Sequence, residues 1–388
     1  MSVTMTSVEQ SVRRTYSQAA LEKQESLCCP VSYDPKYLKI IPQEVLDRDY
    51  GCGNPSQFLR PGDTVLDLGS GGGKICFIAA QVVGPQGRII GVDMNDEMLS
   101  LAGRNKPAVA QAMGYDNIEF RKGMIQDLQL NLADTETFLR KNPVTGVAEL
   151  QALQAHQEIQ RRQQPLVADE SVDVIVSNCV LNLVRPGDKA RLFSEMFRVL
   201  RMGGRVAISD IVSDEDVPED LQNDPQLWSG CISGAWREDA FVEAFERAGF
   251  FGIQLVKRDS VPWRTVNGIE FRSVTVVAHK GKQGPCLERN QAVIYAGPWK
   301  QVVDDDGHVF VRAKRMAVCD KTFRIMTNSD GPYARDIFGI QPRQEVPVAD
   351  ALSFGCKGAA IRNPRQTKGL DYNATTDASS SCTTDGCC

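Results

Sequence analysis

Between residue 63 and about residue 210, short apolar runs alternate with stretches of helical period. Thr64-Val-Leu-Asp-Leu68, Arg88-Ile-Ile-Gly-Val-Asp93, Ile118-Glu-Phe120, Val172-Asp-Val-Ile-Val-Ser177 and Arg205-Val-Ala-Ile-Ser209 have the length and β-branched content of buried strands. Lys74–Val83, Asp96–Met113 and Lys189–Leu200 place apolar residues on one helical face. Such alternation predicts a doubly wound α/β domain, a parallel sheet covered on both faces. Residues from about 130 to 170 interrupt the rhythm. Their middle, Val147 to Arg162, is rich in helix formers and predicts a surface excursion with no chemistry of its own, so His156 reads as a solvated helix residue.

Beyond residue 213 the pattern changes. An acidic linker, Asp214-Glu-Asp-Val-Pro-Glu-Asp220, precedes a helical stretch from Arg237 to Ala248 and strand-like runs at Ile253–Lys257 and Arg272–Ala278. Gly281-Lys-Gln-Gly-Pro285 reads as a hinge to a strand-rich module. The polar segment after Asn363 reads as disordered.

The first strand runs into Gly69-Ser-Gly-Gly-Gly73 and then a helix. Glycines there let a ligand approach the backbone, and the helix N-terminus favours an anionic group. The spacing is not the G-x-G-x-x-G of a dinucleotide fold, and no G-x-x-x-x-G-K-[ST] is present. Asp93 ends the next strand, where an acid would hydrogen-bond a ribose.

With 388 residues, 42% hydrophobic and 24% charged, the chain has the composition of a globular protein of two or three domains. A net charge of −5 announces no basic face for nucleic acid, and no apolar run reaches the roughly 18 residues of a membrane span. The first residues lack the apolar segment of a secretory leader, which predicts a cytoplasmic protein in a reducing compartment. Its twelve cysteines are therefore expected as thiols. Cys76, Cys286 and Cys319 read as small buried hydrophobes.

Three other cysteines sit in tight small-residue settings: Cys52 in Tyr50-Gly-Cys-Gly53, Cys179 in Ser177-Asn-Cys-Val-Leu-Asn182, and Cys231 in Ser229-Gly-Cys-Ile-Ser-Gly-Ala235. None belongs to a C-x-x-C pair, and a fourth ligand for zinc is lacking. Three thiolates suit a trigonal, sulfur-loving centre that keeps a lone pair, with trivalent arsenic the leading candidate.

The glycine loop and Asp93 resemble those of class I S-adenosylmethionine-dependent methyltransferases. That resemblance implies that Tyr50, Gly69, Ser70, Gly71, Gly73, Asp93, Met94, Ile125, Gln126 and Asn178 contact the cofactor. Val12-Arg-Arg-Thr-Tyr16 reads either as an N-terminal helix that closes over the cofactor, as in many such methyltransferases, or as a solvated basic helix. The three cysteine motifs, with Ile41-Pro-Gln-Glu-Val45 and Gly203-Gly-Arg-Val-Ala-Ile-Ser-Asp210, are similar to those of arsenite methyltransferases.

By this second resemblance Cys52, Cys179 and Cys231 hold As(III) and form the catalytic set. Cys52 also acts in redox turnover with an upstream partner, Cys28 or Cys29. S-adenosylmethionine, arsenite or methylarsenite, and a thiol such as glutathione or thioredoxin are the implied reactants, and detoxification by a monomer the implied setting. The corresponding domains are 1–213 for the cofactor, 214–284 for arsenic and 285–362 at the C-terminus, with 363–388 as a cysteine-bearing tail. Two readings stay open: a methyltransferase of an organic small molecule, or a metalloid-binding protein without catalysis. Trp228 and Trp236 read equally as pocket or core, and the tail thiols Cys387 and Cys388 as arsenite scavengers or an inert end.

Overall fold

The computed structural model describes residues 8–24, 27, 31–356, 358 and 360–376. Cys28, Cys29 and the tail cysteines from Cys382 onward lie outside them. The chain divides into two compact units, Met1–Gly281 and Lys282–Cys388.

The first unit begins with helices α1 (Val8–Leu21), α2 (Pro35–Leu38) and α3 (Gln43–Asp47). The expected alternation follows: β1 (Thr64–Leu68), α4 (Lys74–Val83), β2 (Arg88–Asp93), α5 (Asp96–Met113) and β3 (Ile118–Lys122). The excursion forms two helices, α6 (Leu132–Lys141) and α7 (Val147–Gln163). His156 there bonds Asp134 and stacks on Phe138. Next come β4 (Val172–Asn178), α8 (Pro186–Val199) and β5 (Leu200–Ser213). The unit closes with α9 (Glu219–Gln222), α10 (Pro225–Ser229), β6 (Trp236–Arg237), α11 (Glu238–Arg247), β7 (Phe251–Arg258), β8 (Arg264–Val266) and β9 (Ile269–His279).

The main sheet has the order β3-β2-β1-β4-β5-β9-β7. Neighbours from β3 through β5 are parallel, and β9 runs antiparallel to both β5 and β7. Burial on two faces explains the near-continuous apolar strands. Leu66 and Leu68 of β1 pack with Leu192, Phe193 and Phe245 on one face, while Val65 packs with Phe77, Ile78 and Leu101 on the other. Residues 253–257 and 272–278, read from sequence within a separate arsenic-binding region, extend this same sheet. Chain order reverses between β1 and β4, which opens a crevice at their C-terminal ends.

The second unit carries β10 (Leu287–Glu288), β11 (Ala292–Tyr295), β12 (Gln301–Val303), β13 (Val309–Val311) and β14 (Arg315–Ala317). These are followed by α12 (Asp320–Thr327), β15 (Ile337–Ile340), β16 (Leu352–Ser353) and α13 (Pro364–Lys368). Small antiparallel sheets, β10-β16, β14-β11-β15 and β12-β13, surround a core of Val293, Tyr295, Phe310, Met316, Phe323 and Met326. Within the segment expected to be disordered, Asn363 caps α13 through a reciprocal box with Gln366.

Candidate functional site: a cleft beside a cysteine cluster

Three loops at the C-terminal edge of the sheet build a cleft. Gly69, Gly71 and Gly73 adopt φ of 73°, 49° and 88°, a region where a Cβ is strained. A Cβ on Gly69 would also lie 2.4 Å from Val180 Cγ1. The Gly71 N–H donates to Asp93 Oδ2 at 2.8 Å, and the Asn95 N–H to Oδ1 at 2.9 Å, so β2 locks the glycine turn. Asp93 nevertheless faces the cleft, and burial raises its carboxyl pKa. Burial also pushes the Asp67 carboxyl up to about 7; the Cys76 thiol donating to it opposes the rise, and Asp93 and Asp49 add to it.

Tyr50, Gly69, Ser70, Gly71, Asp93, Met94, Ile125, Gln126 and Asn178 all line this cleft. Gly73 is not among its lining residues. It precedes α4, and a Cβ there would meet Phe120 Cζ at 2.9 Å, so its freedom serves the strand-to-helix turn. Val12, Arg13 and Tyr16 of α1 cover the cleft. Asn95 Nδ2 donates to the Arg13 carbonyl at 3.1 Å, and Thr15 Oγ1 to Ser229 Oγ at 3.2 Å. One helix thus bridges the loop after β2 and the loop that carries Cys231.

The three singled-out cysteines converge in one buried cluster with Ile211, Ile232 and Phe271. Cys179 also lines the cleft, so the cluster adjoins it. Cys179 and Cys231 both hold left-handed backbone, at φ of 62° and 61°. That geometry costs about 1–2 kcal/mol for a residue with a Cβ. Strain of this kind persists where surrounding bonds enforce it. Here the Cys179 N–H donates to the Ser209 carbonyl at 2.8 Å, and the Cys231 N–H to the Trp228 carbonyl at 3.0 Å. Cys231 Sγ donates to the Cys179 carbonyl at 3.3 Å.

Cys52 and Cys179 are joined as a disulfide, with their Cα atoms 5.7 Å apart. This corrects the expectation that every cysteine is a thiol. The separation lies well inside the disulfide range, and only the fold brings these residues, 127 positions apart, together. The side chain of Asn178 maintains the approach. Its Oδ1 accepts the N–H groups of Cys52 and Gly53, each at 2.9 Å, while Nδ2 donates to the Gly53 carbonyl at 2.8 Å and to Tyr33 Oη at 3.2 Å. A Cβ on Gly51 would fall 2.0 Å from Asn178 Nδ2, so glycine is required there.

Sequence reasoning did not single out Asp210 or Asn182 as site residues. A carboxylate oxygen of Asp210 lies within 4.8 Å of the Cys52 and Cys179 sulfurs. Its Oδ2 accepts the Leu181 N–H at 2.8 Å and its Oδ1 accepts Asn182 Nδ2 at 2.9 Å. Asn182 Nδ2 also approaches the carbonyls of Ile211 at 2.6 Å and Cys231 at 3.3 Å, tying the Cys179 and Cys231 loops together. Burial pushes the Asp210 carboxyl up to about 6 and the neighbouring Lys189 ammonium down to about 7. Lys189 Nζ donates to the Gly234 carbonyl at 2.5 Å. The available signal was a lone acid within an otherwise apolar strand, Val206-Ala-Ile-Ser-Asp-Ile-Val212, which runs past the Ser209 boundary read from sequence. Trp228 is buried and donates to the Leu183 carbonyl; Trp236 packs on Phe193.

Residues 59–141 and 145–249 match a family described as a methyltransferase domain, and residues 282–372 match a domain of unknown function. An arsenite methyltransferase from Aquipseudomonas alcaligenes is 32% identical over 345 residues, which cover 83% of this chain and 88% of that protein. The chain belongs to the arsenite methyltransferase family. Another member, from Halobacterium salinarum, is 41% identical over 215 residues, 55% of this chain and 44% of the archaeal protein. The human arsenite methyltransferase is 28% identical over 340 residues, 84% of this chain and 79% of that protein. The crystal structure of an arsenic(III) S-adenosylmethionine methyltransferase from Chlamydomonas reinhardtii has a TM-score of 0.54 and 26% identity, covering 84% of this chain and 99% of the algal one.

Use of S-adenosylmethionine, which follows from membership of this family, fits the cleft. The buried Ser70 hydroxyl has no partner among the described residues, and the glycine turn beside it leaves the space that side chains would fill. No helix among the described residues is long and apolar enough to cross a membrane.

Proposed function

We propose that this member of the arsenite methyltransferase family methylates trivalent arsenic: arsenite held as a three-thiolate complex by Cys52, Cys179 and Cys231, and methylarsenite, whose As–C bond leaves two positions for sulfur, held by Cys179 and Cys231. The observation that carries this reading is the convergence of the three cysteines in one cluster with Cys179 at the wall of the cleft. S-adenosylmethionine, when bound, supplies an electrophilic sulfonium methyl. Ser70, Gly69 and Gly71 would hold its methionine part, Asp93 its ribose, and Ile125 and Gln126 its adenine. Three sulfur ligands satisfy trivalent arsenic and leave its lone pair as the nucleophile, so the main task of the protein is positioning.

The left-handed turns at Cys179 and Cys231, and the Asn178 clamp on Cys52, supply that positioning. Methylation leaves arsenic formally pentavalent. Two electrons from a pair of thiolates, which close to a disulfide, return it to the trivalent state. A Cys52–Cys179 disulfide is one product of such a step. A dithiol or two monothiols then regenerate both cysteines and leave as their own disulfide, the role proposed for thioredoxin or glutathione. The proposed biological consequence is arsenic detoxification in the cytoplasm.

The test is to incubate the full chain with S-adenosylmethionine, arsenite and a thiol, and then to speciate the arsenic. Methylated arsenic appearing only with all three additions supports the proposal. Its absence under every thiol condition overturns it.

A further inference from the structure

The second unit holds three more cysteines that converge although they are far apart in sequence. Cys286 precedes β10, Cys319 precedes α12, and Cys356 follows β16. The pairing of Leu287 with Ser353 and of Glu288 with Leu352 joins β10 to β16, and the Phe354 N–H donates to the Cys286 carbonyl at 2.9 Å. These contacts bring Cys286 and Cys356 to one place. Cys319 arrives through helix capping: its Sγ accepts the Thr322 N–H at 3.4 Å and lies 3.2 Å from Thr322 Oγ1. All three sulfurs lie within 4.8 Å of one another. None of the three is in a disulfide. Cys319 is fully buried, whereas Cys286 and Cys356 are half-buried, so the cluster has a closed floor and an accessible mouth.

This is not the arrangement expected for the small buried hydrophobes read from sequence. Apolar burial has no need to bring three sulfurs from three separate segments into one group. Among the described residues no histidine, carboxylate or fourth cysteine joins the three within the same 4.8 Å. Structural zinc takes four protein ligands in nearly every case. Three soft donors with no fourth match an ion that is content with three sulfurs and retains a lone pair.

We propose that Cys286, Cys319 and Cys356 form a second arsenic site, which captures trivalent arsenic in the C-terminal unit independently of the cysteines beside the cofactor cleft. It rests on the proposed function only in that arsenite is the ion at hand. Binding exchanges the three As–O bonds of arsenous acid for three As–S bonds. Each thiol proton leaves with a hydroxyl as water, and arsenic stays trivalent.

The experiment is differential alkylation of the full chain, reduced and stripped of metals, with and without arsenite. Iodoacetamide labelling is mapped by mass spectrometry of peptides. The expected result is loss of labelling at the half-buried Cys286 and Cys356 together when arsenite is present, the buried Cys319 being read through its own variant. In Cys356→Ser chains labelling of Cys286 returns, and in Cys319→Ser chains labelling of both Cys286 and Cys356 returns, while Cys179 and Cys231 stay protected. Using both variants guards against misfolding at the buried capping position.

Equal labelling of Cys286 and Cys356 with and without arsenite overturns the proposal. So does protection by zinc that arsenite cannot reproduce. Protection of Cys286 and Cys356 in a chain that yields no methylarsenic would sustain this site while refuting the function proposed for the first unit.

Discussion

The carboxamide of Asn178 holds the backbone of Cys52: Oδ1 accepts the Cys52 N–H at 2.9 Å, one residue before Cys179. The last residue of β4 therefore sets the distance between two of the cysteines, besides lining the cleft. Replacing Asn178 by alanine leaves the N–H groups of Cys52 and Gly53 without their acceptor. An unsatisfied buried group costs about 1–3 kcal/mol. Urea unfolding of Asn178→Ala is expected to show a loss of that size, and arsenic speciation a larger proportional loss of methylation. Unchanged methylation would contradict the positioning role.

The loop carrying Cys231 is constrained by packing on one side only. A Cβ at Gly234 would fall 1.9 Å from the Asn182 carbonyl oxygen, which backbone must yield to accommodate. A Cβ at Gly230 meets nothing closer than the Leu227 carbonyl at 3.5 Å. Gly234→Ala is expected to lose about 1–3 kcal/mol of stability by overpacking and to abolish arsenite binding at the first-unit cysteines, with Gly230→Ala near wild type in both. Thermal melts with arsenite titrations distinguish them.

Asp67 is expected to make cofactor binding pH-dependent. With its carboxyl at about 7, it is mostly protonated at pH 6 and mostly ionised at pH 8. The cofactor carries an ammonium and a sulfonium, so the ionised form attracts it. Affinity for S-adenosylmethionine is expected to rise about tenfold from pH 6 to pH 8 by proton linkage. Calorimetry should find that dependence flattened in Asp67→Asn. Without ligand the sign reverses: the folded carboxyl binds its proton more tightly than the unfolded one. That contribution to stability is complete below the unfolded value of 3.8 and disappears as pH rises through about 7.

The Cys52–Cys179 disulfide withholds two of the three proposed ligands. Chain prepared without reductant is expected to bind arsenite weakly in the first unit, and to gain two titratable thiols and full binding on reduction. Cys52→Ser should bind at Cys179 and Cys231 without that requirement. Thiol counts and arsenic bound per chain, measured before and after reduction, check it.

The sheet from Thr64 to Ser209 was legible because each strand is short, β-branched and separated by a helical period. The Asp67–Gly73 loop and Asp93 were legible because a ligand-binding turn needs glycines in sequence. What depends on long-range pairing was not. Strands β7 and β9 announce their extended conformation but not that β9 inserts antiparallel beside β5. Cysteine spacing pointed to one site, yet nothing local tells Cys52 that Cys179 is its neighbour. Asp210 and Asn182 act on loops contributed by other elements, so their roles appear only once β4, β5 and the Cys231 loop are assembled. For the same reason Cys286 and Cys319 read as plain buried residues until β10, α12 and β16 come together.

Methylation by cysteine variants tests the central claim most directly. Cys179→Ser and Cys231→Ser chains, shown by circular dichroism to be folded and by calorimetry to bind S-adenosylmethionine, would be given arsenite and thiol, and their products speciated. The account predicts that each variant loses methylarsenic formation while retaining cofactor affinity. Methylation near the wild-type rate in both would mean that these thiols do not hold the substrate, and would contradict it.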